Sequence, residues 1–207
     1  MQKIDDLTSW AVELQSLAQE GLEYGHDKFD RERYQRIREI ATEMMSVKTG
    51  LPYKQVKTLF SSEDGYQTPK LATRAAIIKD NKILLVKEKT DDRWALPGGW
   101  CDVNVTLKEN CLKETKEESG RNVKVDRLIA IQDYNHHNRP QRVTGVTIAF
   151  FLCHEISGEF IDNIETADCK YFAFTDLPKL SEHRNSKEQI KMCFEAAKDP
   201  NWQPIFD

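Results

Sequence analysis

At Ser61–Lys70 (SSEDGYQTPK) the chain changes its hydrophobic period, and this switch restricts the fold more than any other feature. Before it, apolar residues recur at helical spacing: Leu7, Trp10, Leu14, Leu17 and Leu22, then Tyr34, Ile37, Ala41 and Met44 with Ile40 and Met45 beside them. After it, short β-type runs dominate, interrupted by one helical segment and closed by another. An all-α or all-β chain does not read this way. The order gives an α+β fold: a small N-terminal helical domain over residues 1–62, a linker over 63–70, and a mixed strand–helix domain over 71–207. A chain of 207 residues suits that division.

Within the helical part, Asp30 reads as an N-cap, Gly50 as a C-terminal stop, and Pro52 as the first position of a third helix through YKQVKTLF. Three short helices bury little surface alone. Their apolar stripes form either an intramolecular core or the interface of a homodimer, and both readings stand at this level.

In the second part, Arg74–Ile78 and Lys82–Lys87 read as two strands joined by a turn at Asp80-Asn81. NVKVDRLIAIQDYN supplies one or two strands, and VTGVTIAFFLCHEI is the most apolar run and the expected central strand. KYFAFTDL reads as another short strand. NSKEQIKMCFEAAK reads as a closing helix capped by Asn185 or Ser186.

A net charge of −4 argues against coating nucleic acid by bulk positive potential, though a local basic groove remains compatible with it. The five cysteines are odd in number and lack any C-x-x-C spacing, which points to free thiols in a reducing compartment. No apolar run is long enough to span a bilayer, and no cleavage signature opens the chain. The expected setting is cytoplasmic, with no membrane contact.

Behind a glycine pair, in LPGGWCDVNVTLKENCLKETKEESG, lie three closely spaced acids. Thr106 and Glu109 fit a capping box and Gly120 a C-terminal stop, so the helix runs from about Leu107 to Ser119. At about 100° per residue, Glu117 and Glu118 fall about 60° and 40° to either side of Glu114. All three carboxylates therefore share a face, near the helix end where the dipole disfavours anions. They are either a solvated acidic face or a cradle for a cation. Oxygen donors without His or Cys suit Mg²⁺ or Mn²⁺ and not zinc.

The same stretch resembles the signature of the Nudix hydrolases, G-x5-E-x7-R-E-U-x-E-E-x-G-U with U a bulky aliphatic residue. Gly99 opens it, Glu114, Glu117, Glu118 and Gly120 fill their places, and Leu96-Pro97-Gly98 gives the usual lead-in. The resemblance covers roughly Thr68 to Asp207. It implies an α/β/α sandwich with a mixed sheet and cleavage of a phosphoanhydride in a nucleoside diphosphate linked to another group. By the same resemblance, Glu114, Glu117, Glu118 and the main chain at Gly98 are the expected metal ligands. Gly99 lies against the phosphates, and Glu117 and Glu118 act in catalysis. In many relatives the general base is a Glu outside the signature, before a late strand. Glu165 stands at such a place, either as base or as a solvated loop acid. Arg74 and Arg184 are preferred as phosphate partners over Arg139 and Arg142. His136 and His137 fall in the polar loop DYNHHNRPQR, which either contacts substrate or is merely solvated.

The helical segment carrying DKFDRERYQRIREIATEMM ahead of LPGGWCDV is similar to a bacterial subgroup of that family. The subgroup includes CDP-choline pyrophosphatase and proteins labelled ADP-ribose pyrophosphatase. Its products would be CMP and phosphocholine, or AMP and ribose 5-phosphate, with CDP-choline ranked slightly first. Some members are credited with trimming RNA 3′ ends, so short RNA is an alternative partner. A non-catalytic nucleotide sensor is another, although it has no need to keep the acid triad. Val105 stands where the signature has its first Glu, Lys113 replaces its Arg, and Thr115 and Arg121 replace aliphatic residues. An active site then needs another brace for the loop, and Asp102 is the nearest candidate.

Overall fold

The computed structural model describes residues 5–207 and divides into two compact units, one ending at Pro69 and one spanning Lys70–Asp207. Residues 1–4 of the segment read as helical lie outside the described residues.

The first unit holds α1 (Asp6–Tyr24), α2 (Lys28–Thr49) and α3 (Tyr53–Phe60). Asp5 caps α1 through the backbone N–H of Thr8. The cap of α2 is Asp27, which accepts from the N–H groups of Phe29 and Asp30, so Asp30 lies in the first turn rather than at the cap. Both residues have the short carboxylate a cap needs, and only the backbone path selects between them. Gly50 ends α2 with φ +70°, as its sequence position implies.

The stripe of α1 departs from expectation. Its buried residues are Thr8, Ala11, Gln15, Ala18 and Gln19, whereas Leu7, Trp10 and Leu17 are exposed. Close helix packing favours the small residues, and the two buried glutamines are linked: Gln15 Nε2 donates to Gln19 Oε1 at 3.0 Å, and Gln19 Nε2 donates to the Gly65 carbonyl.

The second unit is a mixed sheet covered on both faces. Its strands are β1 (Lys70–Lys79), β2 (Lys82–Glu88), β3 (Trp94–Ala95), β4 (Arg121–Asp133), β5 (Val146–Gly158), β6 (Thr166–Ala173) and β7 (Ile205–Phe206). The order is β3-β2-β1-β5-β4-β7, with β6 also paired to β2. β1 runs parallel to β5, and β5 antiparallel to β4. β1 and β2 meet at the predicted turn, where Asp80 and Asn81 take φ of 50° and 56°. β1 starts at Lys70, so Arg74 lies mid-strand and not at a strand start.

β5 is central, as its composition predicts, and its alternation separates two cores. Ile148 and Phe150 pack with Ile190, Cys193 and Phe194 of α6 (Lys187–Lys198). Ala149, Phe151 and Cys153 pack with Cys111 of α4 (Leu107–Ser119). Ser186 caps α6 through a capping box with Gln189. Asn185, the other candidate, accepts instead from the Leu96 N–H at 2.8 Å. DYNHHNRPQR is not wholly loop: Tyr134–His137 forms one helical turn, α5, capped by Asp133. Among the described residues no helix is long and apolar enough to cross a membrane.

Candidate active site

α4 is bounded as its sequence predicts, with reciprocal Thr106–Glu109 capping at one end and Gly120 at φ +69° at the other. Its three acids occupy three environments. Glu118 is 1% exposed, Glu114 is largely covered, and the Glu117 side chain is 59% exposed. The face they share is thus the edge between core and solvent.

Glu118 Oε2 accepts the Gly98 backbone N–H at 2.7 Å. Gly98 has φ +143°, and a Cβ there would stand 2.1 Å from the Thr73 carbonyl oxygen. A Cβ on Gly99 would stand 2.2 Å from Glu114 Oε2. Both glycines are required by close approach, one of backbone to backbone and the other of backbone to a carboxylate.

A cleft of about 550 Å³ opens over these groups. Arg74, Arg184, Gly99, Glu114, Glu118 and Glu165 all line it, so the structure gathers most of the sequence-predicted set. Glu117 is not among its lining residues. Gly98 reaches it through the Arg184 Nη1 donor, which lies 3.2 Å from the Gly98 carbonyl. Glu165 precedes β6 in a turn held by Asn163, whose side chain accepts from the Glu165 and Thr166 N–H groups.

Glu88 is the residue the sequence did not reveal. It is buried at the end of β2 and accepts from Arg184 Nη2 at 2.7 Å. Arg184 Nη1 also lies 3.7 Å from Glu118 Oε1, so one guanidinium bridges two buried carboxyls. In KILLVKEK this Glu sits between lysines and reads as a solvated strand end. Both faces of β2 are covered, which erases the alternation that would have marked it. Burial pushes the Glu118 carboxyl up to about 8, and burial likewise raises Glu88 and Glu114. Burial, with repulsion from Arg184, lowers the Arg74 guanidinium to about 10.

Lys113 pairs with Asp102 at 2.7 Å and lies 3.6 Å from Glu114. Arg139 donates to the carbonyls of Asn135 and Asn138 and braces its own loop. His136 and His137 face Asp207 at 3.5 Å and 3.2 Å. Neither lines the cleft, whereas His183 does.

The donor set is all oxygen, which suits a hard divalent cation. Buried Glu88 Oε1 has no hydrogen-bond partner, and Glu114 and Glu118 share its cleft, so the local demand for positive charge is unmet in part. Among the described residues no three acids or other ligand side chains already converge as a finished ligand set. The fit is therefore of chemistry and placement, with Glu117 needing to turn inward.

Comparison with known proteins adds independent findings. A profile described as the NUDIX domain matches residues 68–193. Another, described as a UDP-X-like N-terminal oligomerisation domain, matches residues 5–60. A Bacillus subtilis protein, YjhB, provisionally named an ADP-ribose pyrophosphatase, is 36% identical over 97% of this chain and 98% of its own length. A crystal structure of an ADP-ribose pyrophosphatase from Streptococcus suis is 46% identical, covering 68% of this chain and all of that one, with a TM-score of 0.63. A UDP-X diphosphatase structure is 36% identical over 97% of this chain and 98% of that one, with a TM-score of 0.64.

Proposed function

The chain belongs to the Nudix hydrolase family, whose members use divalent cations, and from that premise we propose that it is a Mg²⁺-dependent pyrophosphohydrolase of nucleoside diphosphates linked to a sugar, with ADP-ribose the first candidate. The observation that carries this reading is the pairing of acids and guanidiniums across one cleft. Glu114 and Glu118 offer oxygen ligands, and Arg74 and Arg184 offer charge to a bridging diphosphate. The names of the relatives support a sugar-linked substrate over CDP-choline.

Glu114, Glu117, Glu118 and the Gly98 carbonyl would hold the metal, which on binding neutralises diphosphate charge and acidifies a water. The chain's own residues do the rest. The bare backbone at Gly99 lets phosphate oxygens approach closely. Arg74, fixed by its bonds to the Thr73 and Arg184 carbonyls at 2.8 Å and 3.3 Å, faces the cleft as a preset cation. Arg184 holds Glu88 and Glu118 in one orientation. Glu165, on its Asn163-braced turn, would take the proton of the attacking water.

The N-terminal unit would form a homodimer. The exposed face of Leu7, Trp10 and Leu17 on α1 supports this, as does the oligomerisation profile that spans it. Five free cysteines suit a reducing, cytoplasmic setting.

The test is a panel of ADP-ribose, a UDP-sugar, CDP-choline, NADH, diadenosine polyphosphates and short RNA with Mg²⁺ or Mn²⁺, read by mass spectrometry. Release of a nucleoside monophosphate from ADP-ribose is the expected result. Metal binding without turnover of any compound would refute the reading and leave a binding protein.

A further inference from the structure

Beyond the acid wall, the cleft contains a group the reading above does not use. The Arg142 guanidinium lies between two aromatic rings, 5.4 Å from the Trp100 ring centre and 4.9 Å from that of Tyr134. Among the described residues it makes no hydrogen bond and no ion pair. A guanidinium has five donors, and leaving all of them without a protein partner is unusual for one lining a cleft. Its position is nonetheless fixed. Asn135 clamps its backbone twice, accepting from the Arg142 N–H at 2.7 Å and donating to its carbonyl at 2.8 Å.

Tyr134 is 3% exposed, and its hydroxyl is buried without a hydrogen-bond partner although the residue lines the cleft. A buried hydroxyl in that state costs stability unless something supplies the bond. Trp100 differs: it is 48% exposed. It also borders a second depression of about 480 Å³, which shares Trp100, Arg142 and Val146 with the first. The two depressions thus adjoin at the Trp–Arg pair, and neither Glu114 nor Glu118 lines the second.

We propose that Trp100, Tyr134 and Arg142 form the nucleobase subsite of this cleft. The assignment rests on the nucleoside diphosphate reading above. The half-exposed indole stacks on a planar ring, which any base provides. The guanidinium, held over the Tyr134 ring, meets hydrogen-bond acceptors on the edge of the base. The diphosphate end then falls against Arg74 and Arg184, on the acid side of the same cleft.

The experiment is equilibrium binding of UMP, AMP, ribose 5-phosphate and inorganic pyrophosphate to the full chain, by calorimetry, with Mg²⁺ present. Trp100→Ala is expected to weaken both nucleotides by roughly tenfold or more and to spare ribose 5-phosphate and pyrophosphate. Trp100→Phe is expected to restore most of the affinity. Arg142→Ala is expected to weaken both nucleotides and to spare pyrophosphate. Circular dichroism checks that each variant is folded. Wild-type nucleotide affinity in Trp100→Ala, or an equal loss for pyrophosphate, would overturn the subsite, as would wild-type protein that binds neither nucleotide. Because these are binding measurements, they stand whether or not any substrate in the hydrolysis panel is turned over.

Discussion

The Lys113 ammonium donates to Asp102 Oδ2 at 2.7 Å, joining α4 to the loop behind the glycine pair. Val105 and Lys113 occupy the positions where the family signature carries Glu and Arg, and here the ion pair between loop and helix is Lys113–Asp102. The same ammonium lies 3.6 Å from Glu114 and 3.9 Å from Glu117, and it sets the charge around both. The pair is substantially solvent-exposed, so it contributes little to stability. Its role is positional. Lys113→Met is expected to lower turnover about 10–100-fold through misplaced carboxylates, while the melting temperature moves little. Steady-state kinetics beside a thermal melt checks this. A large melting shift with unchanged turnover would reverse the assignment.

Glu118 gives a pH signature to the metal-free protein. Its carboxyl is raised from 4.5 to about 8, so the folded state favours the protonated form. The stabilisation is complete below the unfolded value and is lost as pH rises through the window from 4.5 to about 8. Between pH 5 and 8, the metal-free wild type is expected to lose stability relative to Glu118→Gln, by up to about 1.4 kcal/mol per pH unit. Adding a divalent cation, which binds the ionised form, is expected to reverse the trend in wild type only. Thermal melts across pH with and without Mg²⁺ read both effects.

The two glycines separate stability from function. Gly98→Ala forces a Cβ at φ +143° to within 2.1 Å of the Thr73 carbonyl, and backbone cannot yield cheaply. A loss on the order of 3 kcal/mol is expected. Gly99→Ala meets only the end of a flexible side chain, the Glu114 carboxylate at 2.2 Å. That variant is expected to fold normally and to bind Mn²⁺ about 10–100-fold more weakly, as measured by electron paramagnetic resonance. Equal stability of the two variants would contradict the geometry.

The exposed face of α1 predicts an assembly. Trp10 is 57% exposed, beside Leu7 and Leu17. Trp10→Glu places a charge on that face without touching the buried Ala11–Gln15–Ala18 stripe. Light scattering behind size-exclusion chromatography is expected to find a dimer for the wild type and a monomer for the variant. A wild-type monomer at high concentration would dismiss the interface.

The sequence by itself determined the elements and their boundaries on α4. Its Thr106 cap, its Gly120 stop and the place of its acids follow from rules that act within four residues. It also determined the α+β order, the Asp80-Asn81 turn and the central place of β5, because the most apolar run must lie where both faces are covered. Periodicity could not decide which face of α1 is buried. Large apolar residues and the small-residue stripe stand about 100° apart on one helix, and only packing partners choose between them. Nor could it find Glu88 or Tyr134, and it ranked Arg142 behind Arg74 and Arg184. Glu88 is placed by Arg184 and Arg142 lies over Trp100, partners distant in the chain. Local chemistry wrote the acidic helix, and tertiary contact decided which of its carboxyls are buried, which arginine spans them and what lies across the cleft.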